Sequence, residues 1–250
     1  MSSVSAARTL WVRGCCVLAF AVFGVPGSAG AQSIGSLFTS LPRNFGHLFI
    51  PSNAIIAGAG GGASLAIHPK DDDIARTVRA ETGAREHFFE AGSTAGGGIV
   101  QGAFALGTYA IGRATHRARV GMLGADLVDA QIVNGVLTQG IKVAVNRTRP
   151  DGSRYSFPSG HTSATFATAA VIERHLGWKA AAPFYGLATY VGASRMVDNR
   201  HFASDVIFGA ALGIVSGRAV SVGHGSRGVT VTATPTLGGA AIVGSIGKRI

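Results

Sequence analysis

From Ala54 to Val222 the chain runs almost entirely in apolar and small residues, and its charged side chains gather into a few short clusters instead of spreading along it. Glycine alone supplies 37 of 250 residues, hydrophobic residues make up 47% and charged residues only 14%. So little charge and so much apolar surface excludes disorder. The pattern leans toward a buried or membrane-associated helical protein, and small residues at the density of Gly58, Gly60, Gly61 and Gly62 allow helices to pack closely.

The amino terminus is separate from that pattern. Arg8 and Arg13 precede a short apolar run, Cys15 to Val25, and Pro26 to Ala31 ends in small residues before Gln32. This order reads as an export signal over residues 1–31, since the run is too short to span a bilayer comfortably. Both cysteines fall inside it, so the mature chain has no disulfide, thiolate or Cys-ligated metal chemistry. Without Arg8 and Arg13, 20 basic residues face 12 acidic ones, a net +8. An exported basic chain suits anionic lipid headgroups or phosphorylated substrates better than nucleic acid.

Residues 32–53 form a lead-in with a turn of helix near Phe45. Helices are then expected over Ala54 to Ile67, from the Asp71-Asp72-Asp73 start, over Ala91 to Arg113 (buried on most sides), Val120 to Val145, Ser159 to Leu176, Lys179 to Arg195 and Phe202 to Val222. The three aspartates read as a helix start, where carboxylates favour the dipole, in preference to a metal cluster. The expected fold is all-α, a compact bundle of about six helices with short connections, one domain over 54–222. In the tail, 223–250, Val229 to Pro235 alternates with period two, which fits either a β-hairpin or a loosely ordered segment.

Three polar clusters interrupt the apolar chain: Lys142 to Pro150, Pro158 to His161, and Ser194 to Asp205. Lys142 and Arg149 stand seven apart, two helical turns, although a lone lysine in such a run is ordinarily a snorkelling side chain. Ser159 and Gly160 open a helix whose first-turn amides could hold an anion, with His161 beside it, although an ordinary cap looks the same. His201 and Asp205, four apart, let a carboxylate fix one imidazole nitrogen and leave the other free as a nucleophile. Each cluster has a bland explanation; all three in order, with Arg195 added, make a kit for binding a phosphate and attacking its phosphorus.

These residues resemble the type 2 phosphatidic acid phosphatase (PAP2) superfamily, whose motifs K-x6-RP, PSGH and SR-x5-H-x3-D are matched at all eleven fixed positions. The resemblance implies a helical phosphohydrolase that needs no metal or other cofactor. It implies that Lys142, Arg149, Ser159, Gly160 and Arg195 hold the phosphoryl oxygens. His201 is then the nucleophile that forms a phosphohistidine, Asp205 its orienting partner, and His161 the acid for the leaving oxygen. Arg147, Arg154 and Arg200 match no fixed position and are left as headgroup contacts. The expected substrate is a phosphate monoester or diphosphate of a lipid or isoprenoid, or a small phosphate ester.

Two rival readings are a vanadium-dependent haloperoxidase, whose chains are generally much longer, and a non-catalytic membrane-binding scaffold, against which the intact motifs argue. Ala91 to Arg113 and Ala203 to Val222 are about long enough to cross a bilayer, and Asp126 and Asp129 are expected to line the cleft beside Lys142. The chain is expected in the inner membrane with its site facing the periplasm, or as a soluble periplasmic protein.

Overall fold

The computed structural model describes residues 39–81, 86–222, 228–236 and 239–247. The export-signal reading of residues 1–31 lies outside them. Among the described residues the fold is all-α, with six long helices and three shorter ones.

Helix α1, Leu41–His47, is followed by α2, Pro51–Ile67, which starts with proline at its first position, where no N–H is needed. A 3-10 turn, His68–Lys70, leads into α3, Asp71–Glu81. Then come α4, Glu86–Ala95, and α5, Gly98–Ala114. The longest is α6, Ala118–Val145; α7, Gly160–Leu176, α8, Trp178–Val197, and α9, Ala203–Val220, complete the bundle. Beyond it, β1, Gly228–Thr236, and β2, Gly239–Gly247, pair antiparallel, with Thr232 opposite Val243.

The expected single helix over Ala91 to Arg113 is two helices that break at Gly96-Gly97. Nor is it buried on most sides: Ile99, Leu106 and Ile111 of α5 point outward. Among the described residues the helices long and apolar enough to cross a membrane are α6 and α9, and α1 with the segment Pro51–Arg79 passes the same test as a pair bent by 64°.

Glycine sets how closely the bundle closes. A Cβ at Gly213 of α9 would stand 2.2 Å from the carbonyl oxygen of Ser163, and one at Gly217 would stand 2.5 Å from that of Ala167. These two helices therefore meet backbone to backbone, which only a missing Cβ permits. Around this contact the core gathers Leu127, Ala130 and Val133 of α6, Ala167 and Val171 of α7, and Val220 of α9, with Leu41 and Phe45 of α1 packed against them. At the far end Gly177, with φ +84°, ends α7 and starts α8 without a longer loop.

The acidic residues inside the bundle have partners. Asp126 accepts from His175 at 2.8 Å, Asp129 from Asn44 at 2.7 Å and from Ser40, and Glu173 from the Tyr185 hydroxyl at 2.6 Å. Asp126 and Asp129 do not line a cleft beside Lys142. They lie about 20 Å or more away along α6 at a rise of ~1.5 Å per residue, where they fasten α1 and the end of α7.

Candidate active site

The end of the bundle opposite Gly177 collects the carboxyl ends of α6 and α8 and the amino ends of α7 and α9, and with them all three polar clusters. Lys142 lies in the last turn of α6, 7% exposed. The helix does not continue to Arg149 as the spacing suggested. Asn146 takes a left-handed conformation (φ 48°, ψ 38°) that caps α6, and the segment through Pro150 folds back over it. Lys142 and Arg149 come together through that fold-back: Lys142 Nζ donates to the Tyr155 carbonyl at 2.7 Å, and Arg149 Nη2 reaches the same oxygen at 3.4 Å. Arg149 Nε also donates to the Arg154 carbonyl at 3.1 Å.

Ser159 precedes the first residue of α7 as expected of a cap, but its hydroxyl meets Thr162 Oγ1 at 2.9 Å instead of a backbone amide. It is wholly buried, and its own N–H donates to the Asp205 carbonyl at 3.0 Å, so α7 and α9 begin side by side. Gly160 faces Thr138 and Lys142; a Cβ there would lie 3.9 Å from Lys142 Cε. His161 packs beside Gly96, at the break between α4 and α5.

Arg195, 7% exposed in the last turn of α8, donates from Nη1 to Asp198 at 2.7 Å and to Ser93 of α4 at 2.5 Å, and Ser93 in turn donates to Asp198. His201 follows, its N–H donating to the Arg195 carbonyl at 3.1 Å. The imidazole is 3% exposed, with Nδ1 3.5 Å from Asp205 Oδ2, close enough for an ionic contact but longer than a formed hydrogen bond.

Asp205, wholly buried, is held from other directions. It accepts from the Phe202 N–H at 2.9 Å, from the Ser156 hydroxyl, and from Arg147 Nη1 at 2.7 Å. Arg147 therefore points inward and is not a headgroup contact. Arg154 donates to Asn146 at 2.9 Å, and Arg200 pairs with Asp151 at 2.8 Å, joining the first cluster's loop to the third's. Ser93, Ser156, Asp198, Arg147 and Asp71 are all part of this end of the bundle. Sequence spacing pointed to none of them.

The electrostatics place both imidazoles in the neutral state. Burial pushes His161 down to about 3, helped by the charges of Arg195, Arg149 and Lys142. Burial also pushes His201 down to about 4; Asp205 pulls it back up, while Lys142 and Arg149 push further down. The fields of three cations thus converge on two neutral rings, which is a seat for an anion beside a nucleophile.

A stability prediction follows from the same shifts. Both folded values lie below the unfolded value near 6.5, so the contribution is fully present above pH 6.5 and is lost as pH falls toward 4 and then 3. The apparent melting temperature in detergent should fall by about 5–10 °C between pH 7 and pH 4. The loss should be smaller in His161→Asn, and an equal loss in that variant would contradict the placement of the charges.

The sequence model of the PAP2 superfamily matches residues 124–228. A lipid A 1-phosphatase from Porphyromonas gingivalis is 42% identical over 102 residues, a match that covers 38% of this chain and 22% of that protein's length. Among solved structures, LpxE of Aquifex aeolicus superposes with a TM-score of 0.52 at 24% identity, covering 62% of this chain and 95% of that one. A transmembrane PAP2-type phosphatidylglycerolphosphate phosphatase from Bacillus subtilis gives a TM-score of 0.50 at 18% identity, covering 75% of this chain and 94% of that one.

Proposed function

We propose, from the match of residues 124–228 to the PAP2 superfamily, that the chain is a lipid phosphatase which hydrolyses a phosphate monoester or diphosphate through a phosphohistidine. The observation that carries this reading is the neutral, 3% exposed His201 backed by Asp205 and facing the positive fields of Lys142 and Arg149. The named relatives are phosphatases of lipid A and of phosphatidylglycerolphosphate, which favours a lipid phosphate here.

In this mechanism Lys142, Arg149 and Arg195 hold the phosphoryl oxygens, with the Gly160 amide at the start of α7 adding a donor. Binding requires Lys142 and Arg149 to exchange the Tyr155 carbonyl, and Arg195 to share Asp198 and Ser93, for phosphate oxygens. Because Nδ1 faces Asp205, the Nε2 lone pair of His201 attacks phosphorus. The bond to the leaving oxygen breaks, its electron pair stays on that oxygen, and His161 supplies the proton. Water then attacks phosphorus, giving its proton to His161, while the P–Nε2 bond breaks with its electron pair returning to His201, and phosphate leaves. An arriving dianion offsets the cations around His161 and raises its proton affinity, so the acid becomes charged when it is needed.

In this reading the fixed cations offset the phosphoryl charge that Mg²⁺ offsets in other phosphoryl-transfer sites. Purified protein in detergent should release phosphate from lipid phosphates in excess chelator at its full rate, and orthovanadate should inhibit it. Activity lost on chelation and restored by Mg²⁺ would reject the assignment.

We place the protein in the membrane with its site at the periplasmic surface. The outward Ile99, Leu106, Ile111, Val136 and Val143 on α5 and α6 present a hydrocarbon-facing band, and the inward hydrogen bonding of Asp126, Asp129 and Glu173 lowers the cost of polar groups at bilayer depth. An anionic headgroup can then reach Lys142 while its chains stay beside the helices. The protein should remain with membranes through a high-salt wash and leave them only in detergent; recovery in the soluble periplasmic fraction would overturn this placement.

A further inference from the structure

Behind Asp205 lies a set of charged side chains at no fixed motif position, centred on the buried Asp71. Arg147 Nη1 donates to Asp205 Oδ1 at 2.7 Å and to Ser204 Oγ at 2.7 Å, while Nη2 donates to Asp71 Oδ2 at 2.8 Å. Asp71, 3% exposed at the start of α3, accepts from the Ser204 N–H at 3.0 Å and from the Ser204 hydroxyl. His68 Nδ1 lies 3.1 Å from the same carboxylate, and the Arg147 guanidinium lies over the Phe202 ring at 4.3 Å. One guanidinium thus bridges two carboxylates from segments far apart in the chain, α3 and α9.

This is not how a surface helix start is built. An acidic residue placed only for the dipole gains little and stays in water, as Asp72 and Asp73 do. A carboxylate buried to 3% is costly unless charge and hydrogen bonds meet it, and here one Arg147 N–H and the two donors of Ser204 do so. Meanwhile Asp205 is only in long contact with His201, so the donors behind it, with Ser156 and the Phe202 N–H beside it, decide where its oxygens point.

We infer that Asp71 and Arg147 are positioning residues that hold the Asp205 carboxylate in place and thereby aim the His201 imidazole. The inference rests on the phosphatase reading for its kinetic consequence, and on geometry alone for its spectroscopic one. Neither residue is assigned to the phosphate, so the effect belongs in turnover and not in substrate binding. A guanidinium is required because a lysine ammonium, a point charge, cannot span both carboxylates.

The groups that face His201 are Asp205 of α9, Lys142 of α6, Arg149 of the loop and His161 of α7. Removing Arg147 leaves Asp205 less compensated, so the imidazolium is favoured and the His201 titration moves to higher pH. Removing the Asp71 charge leaves Arg147 less compensated, so the titration moves to lower pH. The two variants therefore shift it in opposite directions, by about half a pH unit or more in a partly dehydrated site.

The test uses the full chain in detergent, with lipid phosphate as substrate and ¹⁵N-histidine NMR as the second readout, the His201 signal being assigned by its loss in His201→Asn. Arg147→Gln should lower kcat about 10- to 100-fold and Asp71→Asn about 3- to 10-fold, each with KM within about twofold of wild type. Arg147→Lys should fall between wild type and Arg147→Gln. If Arg147→Gln does not fold, Asp71→Asn, which keeps the volume and the acceptor toward Ser204, and Arg147→Lys carry the test. Wild-type kcat and an unmoved His201 titration in both carboxamide variants, with only a lower melting temperature, would overturn the inference, as would shifts of the same sign. A wild-type protein that releases no phosphate would instead reject the phosphatase reading, and the NMR titration would still decide the positioning role.

Discussion

His201→Asn should release no measurable phosphate, a loss of at least ~10³-fold, while still binding orthovanadate within about threefold of wild type. The asparagine keeps a polar group of similar reach but has no lone-pair nitrogen able to attack phosphorus. The anion seat is built by other residues, Lys142, Arg149 and Arg195, so binding survives. Asp205→Asn should be less severe than His201→Asn, because Ser156, the Phe202 N–H and Arg147 can still orient a carboxamide, though the charge that stabilises the imidazolium is gone. Turnover by His201→Asn within tenfold of wild type would remove the nucleophile from the mechanism.

His161→Asn should show a large dependence on the leaving group. With a lipid alkoxide, which leaves badly without a proton, kcat should fall about 10²- to 10³-fold; with p-nitrophenyl phosphate, whose phenolate leaves unaided, it should fall about tenfold or less. The comparison separates acid catalysis from general damage to the site, since distortion would lower both rates alike. His161 lies against Gly96, and a substitution that disturbed the α4–α5 break would do that. Equal losses on the two substrates would rule out the acid role.

The three clusters were legible because their chemistry is carried by residue type and short spacing. A histidine four before an aspartate at a helix start needs no tertiary knowledge, and Ser159 does open α7. How Lys142 and Arg149 meet was not legible, because it depends on Asn146 turning left-handed and on a loop that shares the Tyr155 carbonyl. Asp71 and Arg147 were read as a helix start and a headgroup contact since local sequence gives those roles the same appearance. Only the packing of α3 against the start of α9 buries them together. Ser93 and Asp198 were invisible for the same reason: they hold Arg195 from α4 and from the turn after α8. The break at Gly96-Gly97 was hidden in a run so rich in small residues that helix and turn look alike, and the inward pairing of Asp126 and Asp129 depends on α1 and α7, which no period along α6 reports.

The backbone contact at Gly213 and Gly217 bears on how this protein could change. Any side chain at either position would collide with a main-chain oxygen of α7, which has no rotamer to yield. The helices that carry His161 in the first turn and begin just after His201 are thus locked in register, and variation there would be lost before it could be tried. The other wall of the site has more freedom: α4 and α5 meet at a glycine pair and expose much of α5. An effort to direct the proposed phosphatase toward a different phosphorylated lipid should vary the exposed α5 positions Ile99, Val100 and Phe104 and leave Gly92, Ser93, Gly96, α7 and α9 untouched.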